Sequence, residues 1–279
     1  MFPILYTLYL SFFEWNGVSE KIYVGLANYK TLLLDGLFHK TLLNTAILAL
    51  FILPFQLFFG FMIARILTSK FMPLKNLFRL ANFLPYITNA VAVGLVFSVL
   101  FTWQRGPINE ILKFFGLIQK DIFWTGQEWP ARALVAIMMV WREAGYTALF
   151  FMAGIMNVDP GLFEAAEIDG ANAFQKTIYI TIPMLKSVFR FVVLTSIIGL
   201  LQLFDALFAL FSGVASNALV MTGGPNNAVL TTVWYLYSNG FGSVTRMGYA
   251  STIAYGLFAV ILIITLVTNR ALFKSEDQI

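Results

Sequence analysis

The chain has 279 residues, of which 59% are hydrophobic and 11% charged, and its formal net charge is +4. A soluble domain carries about 25% charged residues, so the composition is that of a membrane protein, and its basic excess suits membrane loops better than a polynucleotide groove. Cysteine is absent, which excludes a disulfide framework and thiolate metal sites.

A membrane span needs about 20 mostly apolar residues. The opening MFPILYTLYLSFF supplies only about 13 before Glu14 and lacks the basic leader and cleavage site of a signal peptide. We read it as the outer half of a first span that starts upstream of Met1; the alternative is a re-entrant or interfacial segment. Positions 41–64, 80–104 and 247–269 contain no charged residue and read as the second, third and sixth spans. The fourth covers roughly 131–156 and includes Arg142 and Glu143, and the fifth starts near 187 and runs past Asp205. The expectation is an all-α integral membrane protein: a six-span helical bundle with a truncated first span, forming a single domain over 1–279.

Short-loop basic residues set the orientation. Arg65, Lys70, Lys75 and Arg79 follow the second span without an acid, Lys176, Lys186 and Arg190 flank a polar loop at 157–186, and the tail carries Arg270 and Lys274. These ends are expected in the cytoplasm. The opposite side mixes Lys21, Lys30, Lys40, Arg105, Lys113 and Lys120 with acids, and its segments 14–38 and 105–130, with the residues flanking them, carry Trp15, Trp103, Trp124 and Trp129, as expected at a membrane interface.

The loop at 157–186 reads as two short helices. Asp159-Pro160 suits a helix start, since Asp caps free amides and Pro fits the first helical position. The first helix reads GLFEAAEID and stops at Gly170. Asn172 and Gln175 form a second capping pair, and the second helix runs through FQKTIYIT and ends by Pro183. Ala165 and Ala166 allow a close approach by another surface, beside the charges of Glu164, Glu167 and Asp169. A well-capped loop that only orients its flanking spans accounts for these residues equally well.

The run EAAEIDGANAFQKTIYITIP resembles the signature loop of importer-type ABC permeases, matching at Glu164, Ala165, Ala166, Gly170, Ile180 and Pro183, with Ile182 where Leu is usual. PILYTLYLSFFEWNG, VGLANYKTLL, LFRLANFLPYITNAVAVGLVF, Trp141–Tyr146, LLQLFD, TGGP at 222–225 and GYAS at 248–251 extend the resemblance to maltose-type sugar permeases. It implies a multi-pass protein of a bacterial or archaeal cytoplasmic membrane whose hairpin is the coupling helix, with Glu164, Ala165, Ala166, Asp169, Gly170 and Pro183 meeting an ATPase. It further implies a second permease subunit, two ATPase subunits that bind ATP and Mg, an extracytoplasmic solute-binding protein and a sugar substrate, most often an oligosaccharide. One departure is the apolar stretch between Asp205 and Thr222, 206–221, which either lengthens the span or forms an outer re-entrant turn.

No catalytic motif, metal cluster or phosphate loop is found, so this chain is expected to be no enzyme, to bind no cofactor or metal, and to leave ATP hydrolysis to another chain. His39 is expected at the interface. Solute contacts should be polar or aromatic and near mid-membrane. A span from 187 places Ser196 about 13 Å in and Asp205 about 27 Å in, so Asp205 suits an outer gate. Tyr146 and Ser196 resemble sugar-contacting residues of the maltose-type family; Gln202, Asn89 and Arg142 are further path candidates. Tyr146 also reads as packing, and Ser196 as bonding its own helix. Arg142 and Glu143 are neighbours on a helix and are expected to find separate partners. Tyr86, Thr88 and Ser98 are expected beside Asn89, and Asn44 and Asn82 as links between helices. Glycerol-phosphate import, favoured by a basic residue such as Arg142, and an ion-coupled secondary transporter, which needs a deep carboxylate such as Glu143, are the alternatives.

Overall fold

A computed structural model describes residues 2–69, 72–212 and 223–273. Lys70, Thr222, Lys274 and the 213–221 part of the apolar extension lie outside the described residues. The elements in chain order are α1 (Phe2–Ser11), β1 (Phe13–Glu14), β2 (Ile22–Tyr23), α2 (Ala27–Leu34), α3 (Gly36–Thr68), α4 (Lys75–Ile87), α5 (Ala90–Leu100), α6 (Pro107–Phe114) and α7 (Glu128–Met156). There follow α8 (Pro160–Ile168), α9 (Ala173–Lys176), a π-helical turn at Thr177–Thr181, α10 (Ile182–Met184), α11 (Lys186–Leu201), α12 (Asp205–Ser212), α13 (Thr232–Phe241) and α14 (Met247–Phe273).

The protein is an all-α membrane bundle. Among the described residues, α3, α7 and α14 each suffice by length and composition to cross a bilayer, and two bent pairs, α4 with α5 and α9–α10 with α11, bring the number to as many as five. The apolar α1 is a shorter helix of 10 residues. The expectation of continuous third and fifth spans is corrected. The third breaks at Thr88 and Asn89, one turn after Pro85 interrupts the backbone ladder of α4. The fifth stops at Leu201, and Asp205 opens a new helix, so the distance along a single continuous helix no longer sets its depth. Within the apolar extension, Ala206, Leu207, Ala209, Leu210 and Phe211 are buried as α12 packs along α5.

The contacts divide the chain into two compact units. One comprises 1–50, 90–138 and 198–267; the other comprises 51–89, 139–197 and 268–279. In the first unit, the segments between spans fold around single polar side chains. A hairpin pairs Phe13 with Tyr23 and Glu14 with Ile22, and Asn16 Oδ1 accepts the Val18 and Ser19 amides in its loop. Asn109 is fully buried: it donates to the carbonyls of Trp103 (2.8 Å) and Ile122 (3.1 Å) and accepts the Trp124 indole N–H (3.0 Å). Asn44 and Arg132 tie down the loop before α13. Asn44 Nδ2 donates to the carbonyls of Asn227 (2.6 Å) and Leu230 (3.1 Å), and Arg132 Nε donates to Ala228 O (3.3 Å). Asn44 thus serves a loop first, with a longer bond to Arg132 joining α3 to α7 (3.4 Å), while the Asn82 amide donates within its own helix, to Phe78 O (2.8 Å). His39 sits near the start of α3 with Nε2 2.9 Å from Leu33 O.

Asp35 caps α3, accepting the amides of Leu37 (2.8 Å) and Phe38 (3.3 Å), and it also accepts the hydroxyls of Tyr235 (2.6 Å) and Tyr249 (2.5 Å). Burial pushes its carboxyl up, but the two phenols and the two amides outweigh this and hold it below its ordinary value. A carboxyl depressed in the folded state stabilises the fold above its unfolded pKa of about 3.9, and that contribution is lost as pH falls through the folded value. Asp35→Ala is therefore expected to lower stability at neutral pH by about 1–3 kcal/mol, with the gap to wild type narrowing below about pH 4. Thermal unfolding in detergent between pH 3 and 7 checks it; a gap independent of pH would mean that the charge is not what the site uses.

Candidate functional site: the aromatic run of the second unit and the polar hairpin

Gly145 decides how α4 meets α7. A Cβ there would lie 1.7 Å from Asn82 O, so the α4 backbone rests directly on the glycine. One turn along α4 from Asn82 stands Tyr86, and next to Gly145 stands Tyr146. Their rings stack with centroids 4.2 Å apart at 16°. Phe83 continues the run behind Tyr86 (5.7 Å), and Phe150 and Phe191 continue it beyond Tyr146 (4.8 and 5.0 Å). Neither tyrosine is fully buried.

Arg142 lies over the Tyr86 ring at 5.6 Å. Its guanidinium also meets Glu143 Oε1 at 2.7 Å. This corrects the expectation of separate partners: neighbours on a helix point apart, but the arginine stem is long enough to fold back along α7. Ser196 differs from expectation too. Its hydroxyl accepts from Gln56 Nε2 (3.0 Å), which also donates to Thr147 Oγ1 (2.9 Å). Gln56 is almost fully buried, and this amide joins α3, α7 and α11. Sequence reasoning missed Gln56, Phe150 and Phe191. The signal for Gln56 was an amide inside an uncharged apolar run; the two phenylalanines gave none among 29.

Of the path candidates, Asn89, Arg142, Tyr146 and Ser196 fall in the second unit, and Gln202 and Asp205 in the first. Arg142 and Tyr146 share the Tyr86 ring. Asn89 is exposed at the break after α4, Gln202 is exposed in the turn after α11, and Asp205 is exposed at the start of α12. Thr88 and Ser98 bond carbonyls of their own helices.

The hairpin is built by caps. Asp159 Oδ1 accepts the Gly161 amide (2.9 Å) to start α8. Gly170, at φ +77°, ends the turn after it, with the Gly170 and Ala171 amides donating to Glu167 O and Ala166 O. Asn172 and Gln175 form a reciprocal capping box, and Lys176 reaches back to Glu167 at 2.7 Å. The second helix does not end by Pro183. A π-helical turn at 177–181 shifts the hydrogen-bond register just before it, so the missing proline N–H falls in the first turn of α10, where none is needed. The chain then bends by 67° into α11. Glu164, Ala165, Asp169, Gly170 and Pro183 are exposed, and Ala166 half-buried. Ile168, Phe174 and Tyr179 are 88%, 72% and 75% exposed, an unusual display of apolar surface on a polar hairpin.

Residues 56–273, which contain the hairpin and the aromatic run, match the family described as binding-protein-dependent transport system inner membrane component. The chain belongs to this family. It is a multi-pass inner-membrane transport component. Similar proteins include the lactose transport permease LacF of Rhizobium radiobacter (32% identical, over 95% of this chain and 86% of the relative). The arabinooligosaccharide permease AraP of Halalkalibacterium halodurans is 34% identical over 93% of this chain and 79% of its own. The diacetylchitobiose permease NgcF of Streptomyces coelicolor is 32% identical over 100% of this chain and 80% of its own. Among solved structures, a bacterial ABC transporter that imports the acidic polysaccharide alginate has the same fold, with TM-score 0.79, 20% identity, and coverage of 99% of this chain and 90% of that one.

The contact at Gly145 is expected to control the tyrosine stack. Gly145→Val should destabilise the protein by about 1–3 kcal/mol, because the α4 backbone cannot yield as a side chain can. Melting of the purified protein checks it; an unchanged midpoint would show that α4 does not rest on Gly145.

Proposed function

We propose that this chain is a permease subunit of an ABC importer that moves a carbohydrate, most simply an oligosaccharide, across the cytoplasmic membrane. The observation that carries the reading is the capped hairpin at 159–184, which offers Ile168, Phe174 and Tyr179 to a partner beside the small face of Ala165 and Ala166. Such a rigid two-helix unit transmits force, where a flexible loop would absorb it. The basic residues flanking it, Lys176, Lys186 and Arg190, favour the cytoplasmic side. The partners are two ATPase subunits that hold ATP and Mg, a second permease subunit and an extracytoplasmic solute-binding protein. Nucleotide-driven closure of the ATPases pulls the hairpin, and the spans exchange inward- and outward-facing states.

The carbohydrate assignment draws on the relatives, whose names specify lactose, arabinooligosaccharides and diacetylchitobiose. It suits the aromatic run, since aromatic faces stack on the apolar faces of sugar rings. Tyr146 is the central contact, with Arg142 beside it; Asn89, Ser196 and Gln202 are further path residues, and Asp205 belongs to the outer gate. In Ser196 the hydroxyl is already engaged by Gln56, so a change there acts through packing as well as contact. Glycerol phosphate is the weaker reading, because Arg142, the cation over the Tyr86 ring, is matched by Glu143.

Gly170→Pro, and separately Glu164→Lys with Ala165→Arg, are expected to abolish uptake by the assembled importer while the protein stays in the membrane. Proline cannot adopt the φ of +77° at Gly170. Co-purification of the ATPase and uptake of labelled saccharide read this out. Normal uptake by the double variant would remove the coupling role.

A further inference from the structure

Arg142 and Glu143 are two ions in the interior of a span, about 21 Å along a helix about 43 Å long. Neither supports the hairpin, the capped loops or the Gln56 amide junction. A span that only needed to pack would carry neither: apolar replacement of a buried ion pair is often neutral or stabilising, and ionisable residues inside a membrane are rare without a functional demand. The pair is not sealed away, since the two side chains keep 19% and 17% of their surface. It adjoins the tyrosine stack through Arg142 and Tyr86. It is also unsaturated: one guanidinium nitrogen meets Glu143, whereas the buried Nε–H has no acceptor among the described residues.

A lone guanidinium at this place would be a strong receptor for a carboxylate, sulfonate or phosphate, through two parallel charge-assisted bonds. With Glu143 at 2.7 Å, an arriving anion meets a like charge and a guanidinium already engaged. A neutral hydroxyl meets no such repulsion. We propose that Glu143 sets the charge selectivity of the transport path: by occupying Arg142 it admits neutral saccharides and rejects those bearing an acidic group. Glu143 acts here through Arg142 as a repulsive element. The inference rests on the reading of Tyr146 and its neighbours as part of the solute path.

The test is saccharide binding to the assembled importer in nanodiscs without the solute-binding protein, so that the binding protein's own selectivity does not enter. The probes are lactose, diacetylchitobiose and arabinotriose, each paired with a form in which one terminal CH2OH is oxidised to a carboxylate. Wild type is expected to bind at least one neutral probe about tenfold or more tightly than its acidic form, a difference of about 1.4 kcal/mol. Glu143→Gln should shift that ratio toward the acid by about tenfold or more, and Arg142→Gln with Glu143→Gln should bind both forms alike. Equal wild-type affinities, or an unchanged ratio in Glu143→Gln, overturn the proposal and leave the carbohydrate permease reading standing. If wild type binds no probe in either form, the path reading itself falls and this inference with it. Should Glu143→Gln fail to assemble, the double variant, which leaves no unpaired charge, decides: retained discrimination in it overturns the proposal.

Discussion

A backbone amide or carbonyl removed from water must find a partner inside the protein, and every break in a membrane helix exposes several at once. The architecture follows from how this chain meets that demand. Where the polypeptide leaves helical geometry, one polar side chain takes up the loose groups. Asn44 holds two carbonyls of the loop before α13, and Thr231 bonds Leu203 O where α11 gives way to α12. Asn109 closes the segment after α5, and Asp35 starts α3. These residues are small or planar, so each can reach several backbone groups from one position.

The same economy shapes the hairpin. Asp159, Gly170, Asn172 and Gln175 meet the needs of its helix ends locally, so its apolar side chains are not drawn inward and remain on display. The π-helical turn lets the chain carry Pro183 without interruption and bend only at the entry to α11. From α9 to α10 the backbone is thus helical throughout, and a single turn at Leu185 leads into α11. A movement imposed at Glu164 and Ala165 would reach α11 along the chain itself.

In α7 a different balance holds. Gly145 gives up a side chain so that α4 can approach, and this close contact aligns two tyrosines into a stack that extends through three phenylalanines. Beside it, Arg142 spends its charge on Glu143 and lays its face on Tyr86. A cation, an anion and a continuous aromatic surface lie together here, polar in detail and neutral in sum.

Much of this was written in the chain. The length and charge content of the apolar runs specified helices through a membrane, because hydrophobic transfer acts on composition alone. The caps at Asp159, Gly170 and Asn172 were legible because they are made within a few residues of one another. Other features required contacts distant in sequence. Nothing local reveals that Gln56 bonds Thr147 and Ser196, or that Tyr86 stacks on Tyr146, since such pairs depend on which helix faces meet. The breaks after Ile87 and Leu201 were hidden for a related reason. An uncharged apolar run is equally compatible with one long helix or two, and the choice is settled by what packs against it, as α12 packs on α5. The pairing of Arg142 with Glu143 was likewise beyond helical periodicity, because a long flexible stem can override the direction of its own Cβ. Sequence alone determined the membrane class, the hairpin and its caps; tertiary structure decided which polar groups meet, because hydrogen bonds and ring stacks are short-ranged and exist only where the folded backbone brings their partners together.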